Sequence, residues 1–454
     1  MNILGRKNTS RILVLILTLC VFFCSGCSDI NFSDGTLIRP PRATGDKAEI
    51  QDIITEEAGG SYTLKYPQNG DYRSAIIMYE SKQITECAIA LYSTENDANM
   101  HVSIIKYNGE KWECAGTFSN SGAGVDCVMF NDINGDKKDE IIIGWSTYNS
   151  NLKTLTAYTF GNNGIREMTI DDTYDEMVIT DITGNNVKDI ILFSLSTSDA
   201  PSTAKLLQYS EQEKRPIGKY SLELDSNITR FSNIMVGNVD EDKNGTIIEG
   251  EKSGGVFATQ VIYFNDKENA LVNPLVTVNN NTVSNVTTRK DIIVSRDVDD
   301  DGIIEVPVVT QMSASENDDI STICSITSWK QLATEENILE TDMNTVINYT
   351  DGYYFIMPEK WNGTVTAKTD PDNRQMTFYI WSTNTNSIGD KLLTIYRFTQ
   401  TEWDNIDKSN LIHLEDVSNS TTNAVFAAEI FPTNAKDSLN ITEDEVTCSV
   451  KPIN

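Results

Sequence analysis

One short pattern recurs along this chain and limits what the chain can fold into. "DINGDKKDE" places Asp132, Asn134, Asp136 and Glu140 at positions 1, 3, 5 and 9 of a loop. "DITGNNVKD" places Asp181, Thr183, Asn185 and Asp189 in the same way, and "DVDDDGIIE" places Asp297, Asp299, Asp301 and Glu305. "NVDEDKNGT" supplies Asn238, Asp240, Asp242 and Thr246. A worn copy begins at Tyr79, with Ser81, Gln83 and Cys87 where the acceptors should stand. The starts are separated by 53, 49, 57 and 59 residues. An irregular period near fifty is the mark of a repeat architecture with variable loops.

Each interval holds four strand candidates. Between the loops at 132 and 181 these are "EIIIGWST", "TLTAYTFG", "IREMTIDD" and "EMVITD". Turn residues such as Asn108-Gly109 separate the strands. Four antiparallel strands per repeat make the blade of a β-propeller. Four intervals give four blades. Two strands from each end, at 62–79 and 305–329, are expected to complete a shared fifth blade and close the ring, which would remove exposed sheet edges. The expected fold is mainly β, a propeller of four-stranded blades with five favoured, followed by a small α+β domain. The domains are 1–26 (signal peptide), 27–60 (tether and short helix, with the helix at 46–58), 61–330 (propeller) and 331–454 (C-terminal domain). Residues 330–348 lack strand rhythm and are expected to form a linker with a short helix. Trp361, Trp381 and Trp403 are expected as core aromatics.

The loop and its flanking strands resemble the FG-GAP or VCBS type of repeat, found in integrin-like propellers and bacterial surface proteins, over roughly residues 60–330. The loops at 132 and 297 match best, those at 181 and 238 only in part, and that at 79 hardly. The resemblance implies calcium held by Asp132, Asn134, Asp136, Glu140 and the Lys138 carbonyl. The second implied site is Asp297, Asp299, Asp301, Glu305 and the Ile303 carbonyl. Weaker sites would use Asp181, Thr183, Asn185 and Asp189, and Asn238, Asp240 and Asp242. The chemistry agrees independently. Calcium takes six to eight oxygens in a flexible geometry, and carboxylates crowded in one loop repel without a cation. An EF-hand would need Glu at position 12 and a following helix; here Ile143 and Val308 stand there, within strand-like sequence.

The N-terminus constrains location. "MNILGRKNTSRILVLILTLCVFFCSGC" has a basic start (Arg6, Lys7, Arg11), an apolar run at 12–23 and small residues before Cys27. The run is too short to span a bilayer comfortably. The segment resembles a bacterial lipoprotein signal, with Cys24 in place of the usual Leu three residues before Cys27. The resemblance implies cleavage, lipidation of Cys27 and a chain anchored on the extracytoplasmic face of the cell membrane. Cleavage removes three basic residues and no acidic one, taking the formal charge from −30 to −33. Such a surface repels nucleic acid and suits divalent cations. Five cysteines then remain besides Cys27. Cys114 and Cys127, on consecutive strand candidates, could pair or stay free.

No catalytic signature stands out. The chain has two histidines, His101 and His413, in different proposed domains, which argues against a His-dependent triad. It carries no G-x-S-x-G, P-loop or dinucleotide fingerprint. The reading is a lipid-anchored, calcium-binding propeller acting as a non-catalytic binding or scaffold module for a surface protein or glycan. The alternative is a cell-envelope glycoside hydrolase or lyase using acidic residues on the propeller face. Metabolic labelling with a fatty acid tests the anchor: the wild-type chain takes up label and Cys27→Ala does not, and a labelled variant would remove Cys27 as the anchor.

Overall fold

The computed structural model describes residues 45–453 apart from 81–85, 96, 149–150, 162–163, 280–281, 421–423 and 435–436. The signal segment, Cys27, Ser81 and Gln83 lie outside the described residues. Among the described residues no helix is long and apolar enough to cross a membrane.

Strands form where apolar residues run between turn signals, and each meanders into the next. Helix α1 (Asp46–Glu57) comes first, followed by β1 (Tyr62–Leu64) and β2 (Ile76–Tyr79), which both pair with β3 (Cys87–Thr94). β4 (Met100–Tyr107) and β5 (Trp112–Asn120) complete the first sheet. The second sheet is β6 (Gly124–Asn131), β7 (Glu140–Ser146), β8 (Lys153–Gly161) and β9 (Gly164–Tyr174). The third is β10 (Glu176–Thr180), β11 (Asp189–Ser194), β12 (Thr203–Ser210) and β13 (Arg215–Glu223). The fourth is β14 (Ile228–Asp240), β15 (Lys243–Lys252), β16 (Val256–Asn265) and β17 (Ala270–Val272). A small hairpin, β18 (Val276–Asn279) and β19 (Thr282–Asn285), precedes the fifth sheet. All the named ladders are antiparallel. The fold is mainly β and β-propeller-like.

Packing between successive sheets explains why the second strand of each reads as an unbroken apolar run. Such a strand is buried on both faces, so alternation with polar residues disappears. In "EIIIGW", Ile141, Ile143 and Trp145 face Ile89, Leu91 and Val102 of the first sheet, while Ile142 faces Ile190 and Leu192 of the third. Ile191, Phe193 and Leu206 then meet Ile248, Ile262 and Phe264 of the fourth. Val239, Ile247, Val261 and Tyr263 meet Val306 and Leu332 of the fifth. The outer face of the first sheet (Ala88, Ala90, Tyr92, Trp112) is covered by Ile50, Ile54 and Ala58 of α1 and its C-terminal end.

The fifth sheet differs from expectation. It runs β20 (Val306–Gln311), β21 (Ser325–Ala333), β22 (Ile338–Asn348), β23 (Tyr353–Ile356), with β29 (Val450–Pro452) at its edge. Residues 330–348, expected as a linker with a short helix, are strand, because Trp329, Leu332 and Val346 are core residues whose pattern straddles the turn at 334–337. The domain division placed at 330 falls inside β21. Among the described residues no ladder joins 62–79 to 305–329, so the expected shared blade is not formed: β1 and β2 take the edge of β3, and the terminal-half strands pair among themselves.

A last sheet, β24 (Val365–Asp370), β25 (Gln375–Ser382), β26 (Ser387–Phe398), β28 (Val425–Ile430) and β27 (Ile412–His413), packs with short helices α2 (Gln400–Asn405), α3 (Glu415–Ser420) and α4 (Glu443–Ser449). Thr442 and Glu445 form the reciprocal cap that starts α4. Trp361 and Trp381 are buried; Trp403 is half-buried and stacks on His413 with ring centroids 5.3 Å apart. The described cysteines, Cys114 and Cys127 included, are free thiols.

Ile54 is fully buried between α1 and the first sheet. Ile54→Ala is expected to lower stability by about 2–4 kcal/mol, read from chemical denaturation; a loss below about 0.5 kcal/mol would mean that α1 does not seal this face.

Candidate metal loops and a polar cavity

Three of the four loops that lie within the described residues share one backbone path. The fourth and sixth residues of each adopt positive φ: Gly135 and Lys137, Gly184 and Asn186, Asp300 and Gly302. This path turns the alternate side chains inward. The first-position carboxylates accept backbone N–H groups from across the loop: Asp132 from Lys137 (2.8 Å), Asp181 from Asn186 (2.7 Å) and Asp297 from Gly302 (2.9 Å). The fifth position does the same two residues on. Asp136 accepts from Lys138, Asn185 from Val187 and Asp301 from Ile303.

The ninth position opens the second strand of its sheet, or directly precedes it at Glu305, where the Arg296–Glu305 bridge takes the place of a first strand before β20, and is buried: Glu140, Asp189 and Glu305 are 1%, 2% and 0% exposed. Each is held from the third strand. Thr159 donates to Glu140 at 2.8 Å, Gln208 to Asp189 at 2.8 Å and Gln331 to Glu305 at 2.9 Å. Burial pushes all three carboxyl groups up, Glu140 to about 7. For Glu140, the Thr159 and Ile133 hydrogen bonds oppose that shift, and the charges of Asp136 and Asp132 add to it. These third-strand donors were not legible in the sequence as site residues, because only strand register reveals them. Asp342 on β22 is a further carboxylate facing the last loop, raised by burial and then by Asp299 and Asp301.

The residues at 297–305 fit calcium. Carboxylate oxygens of Asp297, Asp299 and Glu305 lie within 4.8 Å of one another. Asp297 Oδ1 is buried without a hydrogen-bond partner. The donors are all oxygen, as a hard cation wants. Asp301 turns toward Gln331 at 2.7 Å. At 132–140, Asn134 spends its amide on Glu140 at 2.6 Å.

The segment at 238 departs from expectation. The β14–β15 ladder runs on through Asn238↔Asn244 to Asp240↔Lys243. Only Glu241 and Asp242 close the turn, so Asn238, Asp240 and Asp242 do not converge as they do in an open loop. Asp240 instead accepts from the Thr334 backbone at 2.8 Å, and Thr246 is buried in the sheet. Neighbouring loops are also joined. The Tyr79 hydroxyl reaches Asp139 at 2.7 Å and its ring stacks on Phe130 at 3.7 Å. Lys188 N–H donates to the Asp132 carbonyl, and Ile304 N–H to that of Asn238.

The opposite ends of β6, β10 and β14 meet at a cavity of about 510 Å³. Its lining includes Gln68 and Asn69 before β2, Asp126 on β6, Lys153 on β8, Glu176 on β10 and Arg230 on β14. Asp126 is buried and accepts from Asn69 (2.7 Å) and the Tyr174 hydroxyl (2.8 Å). Lys153 Nζ stands 3.1 Å from Asp126 and 3.6 Å from Glu176. Burial works to lower the Lys153 pKa, but Asp126 and Glu176 outweigh it and hold it above the ordinary value. Burial raises Glu176, with Lys153 opposing. Gly144 makes room here: a Cβ on it would stand 2.2 Å from the Tyr174 oxygen. A larger hollow of about 610 Å³, beside Lys106 and Cys114, is lined from the first sheet alone and has no such convergence of sheets.

No family model and no curated protein matches this chain. Solved structures are similar in fold only. A periplasmic gluconolactonase of Pseudomonas aeruginosa is 8% identical over 73% of this chain and 88% of its own, with a TM-score of 0.31. A putative 6-phosphogluconolactonase of Bacteroides uniformis is 12% identical over 72% and 94%, with a TM-score of 0.26. An exotype rhamnogalacturonan lyase is 9% identical over 72% and 83%, with a TM-score of 0.25. The expectation of a non-catalytic binding or scaffold module is corrected and is not carried further.

Glu140 gives a pH test. Its folded pKa lies above the ordinary 4.5, so the metal-free fold binds more protons than the unfolded chain between pH 4.5 and 7. The stability it contributes is complete below that window and is lost as pH rises through it. In EDTA, Tm is expected to fall between pH 5 and 7.5, and millimolar calcium to remove most of that fall. A Tm in EDTA that rises over this range would overturn the assignment.

Proposed function

We propose that this chain is a lipid-anchored extracytoplasmic enzyme, a glycoside hydrolase of the cell envelope built on a calcium-braced propeller of five blades. The fifth blade is β20, β21 and β22 with the segment ending at Arg296, which bridges to Glu305, and a small α+β layer follows it. Calcium at 132–140 and 297–305 would neutralise the crowded loop carboxylates and stiffen turns that lie within a blade, the first of which is bonded to the next sheet through Lys188. At tenfold excess over Kd, one site adds about 1.4 kcal/mol to stability.

The observation that carries the catalytic reading is the Asp126–Lys153–Glu176 chain in the cavity. Two carboxylates share one ammonium at 3.1 and 3.6 Å, so their nearest oxygens are at most roughly 7 Å apart, a separation compatible with paired glycosidase carboxylates. Glu176 is half-exposed and its pKa is raised, as suits a proton donor to a leaving oxygen. Asp126, fixed by Asn69, Tyr174 and Lys153, is the second carboxylate. Hydrolysis is favoured over a uronate lyase by charge. Asp126, Asp175 and Glu176 outnumber Lys153 and Arg230, and Arg230 is already paired with Glu251 at 3.0 Å. An acidic sugar would be repelled there, and a neutral glycan would not.

Release of reducing ends from neutral envelope glycans tests this. Glu176→Gln is expected to lower the rate by about 100-fold or more, with the fold intact by melting. Full activity in that variant would remove Glu176 as the proton donor.

A further inference from the structure

The five loops differ at one place that lies outside them. The residue opposite the ninth loop position, on the third strand of the same sheet, is fixed by register. Ile141 pairs with Tyr158, so Thr159 stands opposite Glu140. Ile190 pairs with Leu207, so Gln208 stands opposite Asp189. Val306 pairs with Lys330, so Gln331 stands opposite Glu305. All three are uncharged donors, and all three reach the carboxylate at 2.8–2.9 Å. In the fourth sheet Thr246 pairs with Ile262, and in the first Cys87 pairs with Lys106. Neither of those ninth positions is a carboxylate.

We infer that this third-strand donor decides which loops hold calcium: those at 132, 181 and 297 do, and those at 79 and 238 do not. The inference rests on the calcium reading above and goes beyond it by assigning Thr159, Gln208 and Gln331 as positioning residues and by bringing in the loop at 181. The physical reason is burial. A carboxylate that is 0–2% exposed needs donors or a cation. A neutral donor from the third strand satisfies one oxygen without neutralising the charge. It orients the group toward the loop and leaves that charge for the ion. Groups of this kind, behind a metal ligand, are typically responsible for about 10- to 100-fold in metal affinity. Opposite Ile262 a carboxylate would have no such donor, and a lysine, as at 106, would itself take the role of the cation. Each of the three also meets a second loop position: Gln331 donates to Asp301 at 2.7 Å, Gln208 donates to Thr183 at 3.4 Å, and Thr159 accepts from Asn134 at 3.3 Å.

The experiment is calcium titration of the mature full chain by calorimetry and equilibrium dialysis, independent of any activity. The wild-type chain is expected to bind three equivalents. Gln331→Met and Gln208→Met should each weaken one equivalent by about 10- to 100-fold and leave the others. Thr159→Val should do the same, while Thr159→Ser, which keeps the hydroxyl, should retain wild-type binding. Melting in EDTA checks that each variant is folded, and the Thr159 pair is the readout if a glutamine variant is not. Absence of calcium binding by the wild-type chain would overturn the calcium reading itself. Three equivalents that survive unchanged in the Gln208, Gln331 and Thr159→Val variants would overturn this inference alone, and so would a wild-type stoichiometry other than three.

Discussion

Burying a carboxylate at the first residue of a strand sets the terms for much of this molecule. Glu140, Asp189 and Glu305 each sit where a loop becomes the second strand of a sheet, almost without solvent. Each is satisfied from two directions: a backbone N–H of the loop behind it and a side-chain donor on the strand across from it. That requirement constrains the loop path and the residue that faces the carboxylate from the neighbouring strand. The same joints touch the next sheet, as the Lys188 bond to Asp132 shows. Packing of isoleucines supplies the bulk of the cohesion, and these joints help hold the sheets to one another.

The two ends of the inner strands then serve different purposes. At one end the acidic loops crowd negative charge that a hard cation can neutralise. At the other, Asp126, Lys153 and Glu176 balance charge internally, with Lys153 between two carboxylates. From Asp126 to Asp132 is six residues of strand, roughly 20 Å, so the two sets of charges are electrostatically separate at physiological salt. A cation at the loops would brace the sheets without acting in the cavity. The cavity itself depends on packing: Tyr174 can reach Asp126 only because Gly144 has no side chain.

Periodicity made the repeat legible, and with it the strands of the first four sheets and helix α1, expected at 46–58 and found at 46–57, but not their grouping: the last strand of each loop-to-loop interval opens the next sheet, so the repeated loops lie within sheets. The loop at 297 was legible as a candidate, since five carboxylates fall within its nine residues. Legibility failed where a residue's meaning depends on its cross-strand neighbour. The acceptors at 238–246 look like a loop in sequence, yet the ladder continues through them to a two-residue turn. Gln208, Gln331 and Thr159 are unremarkable in sequence. Residues 330–348 were misread because their apolar positions are split between two strands and two cores, so no single period survives.

The sequence by itself determined the strand repeat and the chemistry of its loops, because both are local: side-chain alternation and acceptor spacing act within a dozen residues. The tertiary structure decided which loops keep an open path, which strand supplies the facing donor, and that Asp126, Lys153 and Glu176 meet at all. Those three residues lie up to 50 positions apart on two different sheets. Their meeting follows from how one sheet packs on the next, and no local pattern along the chain encodes that distance.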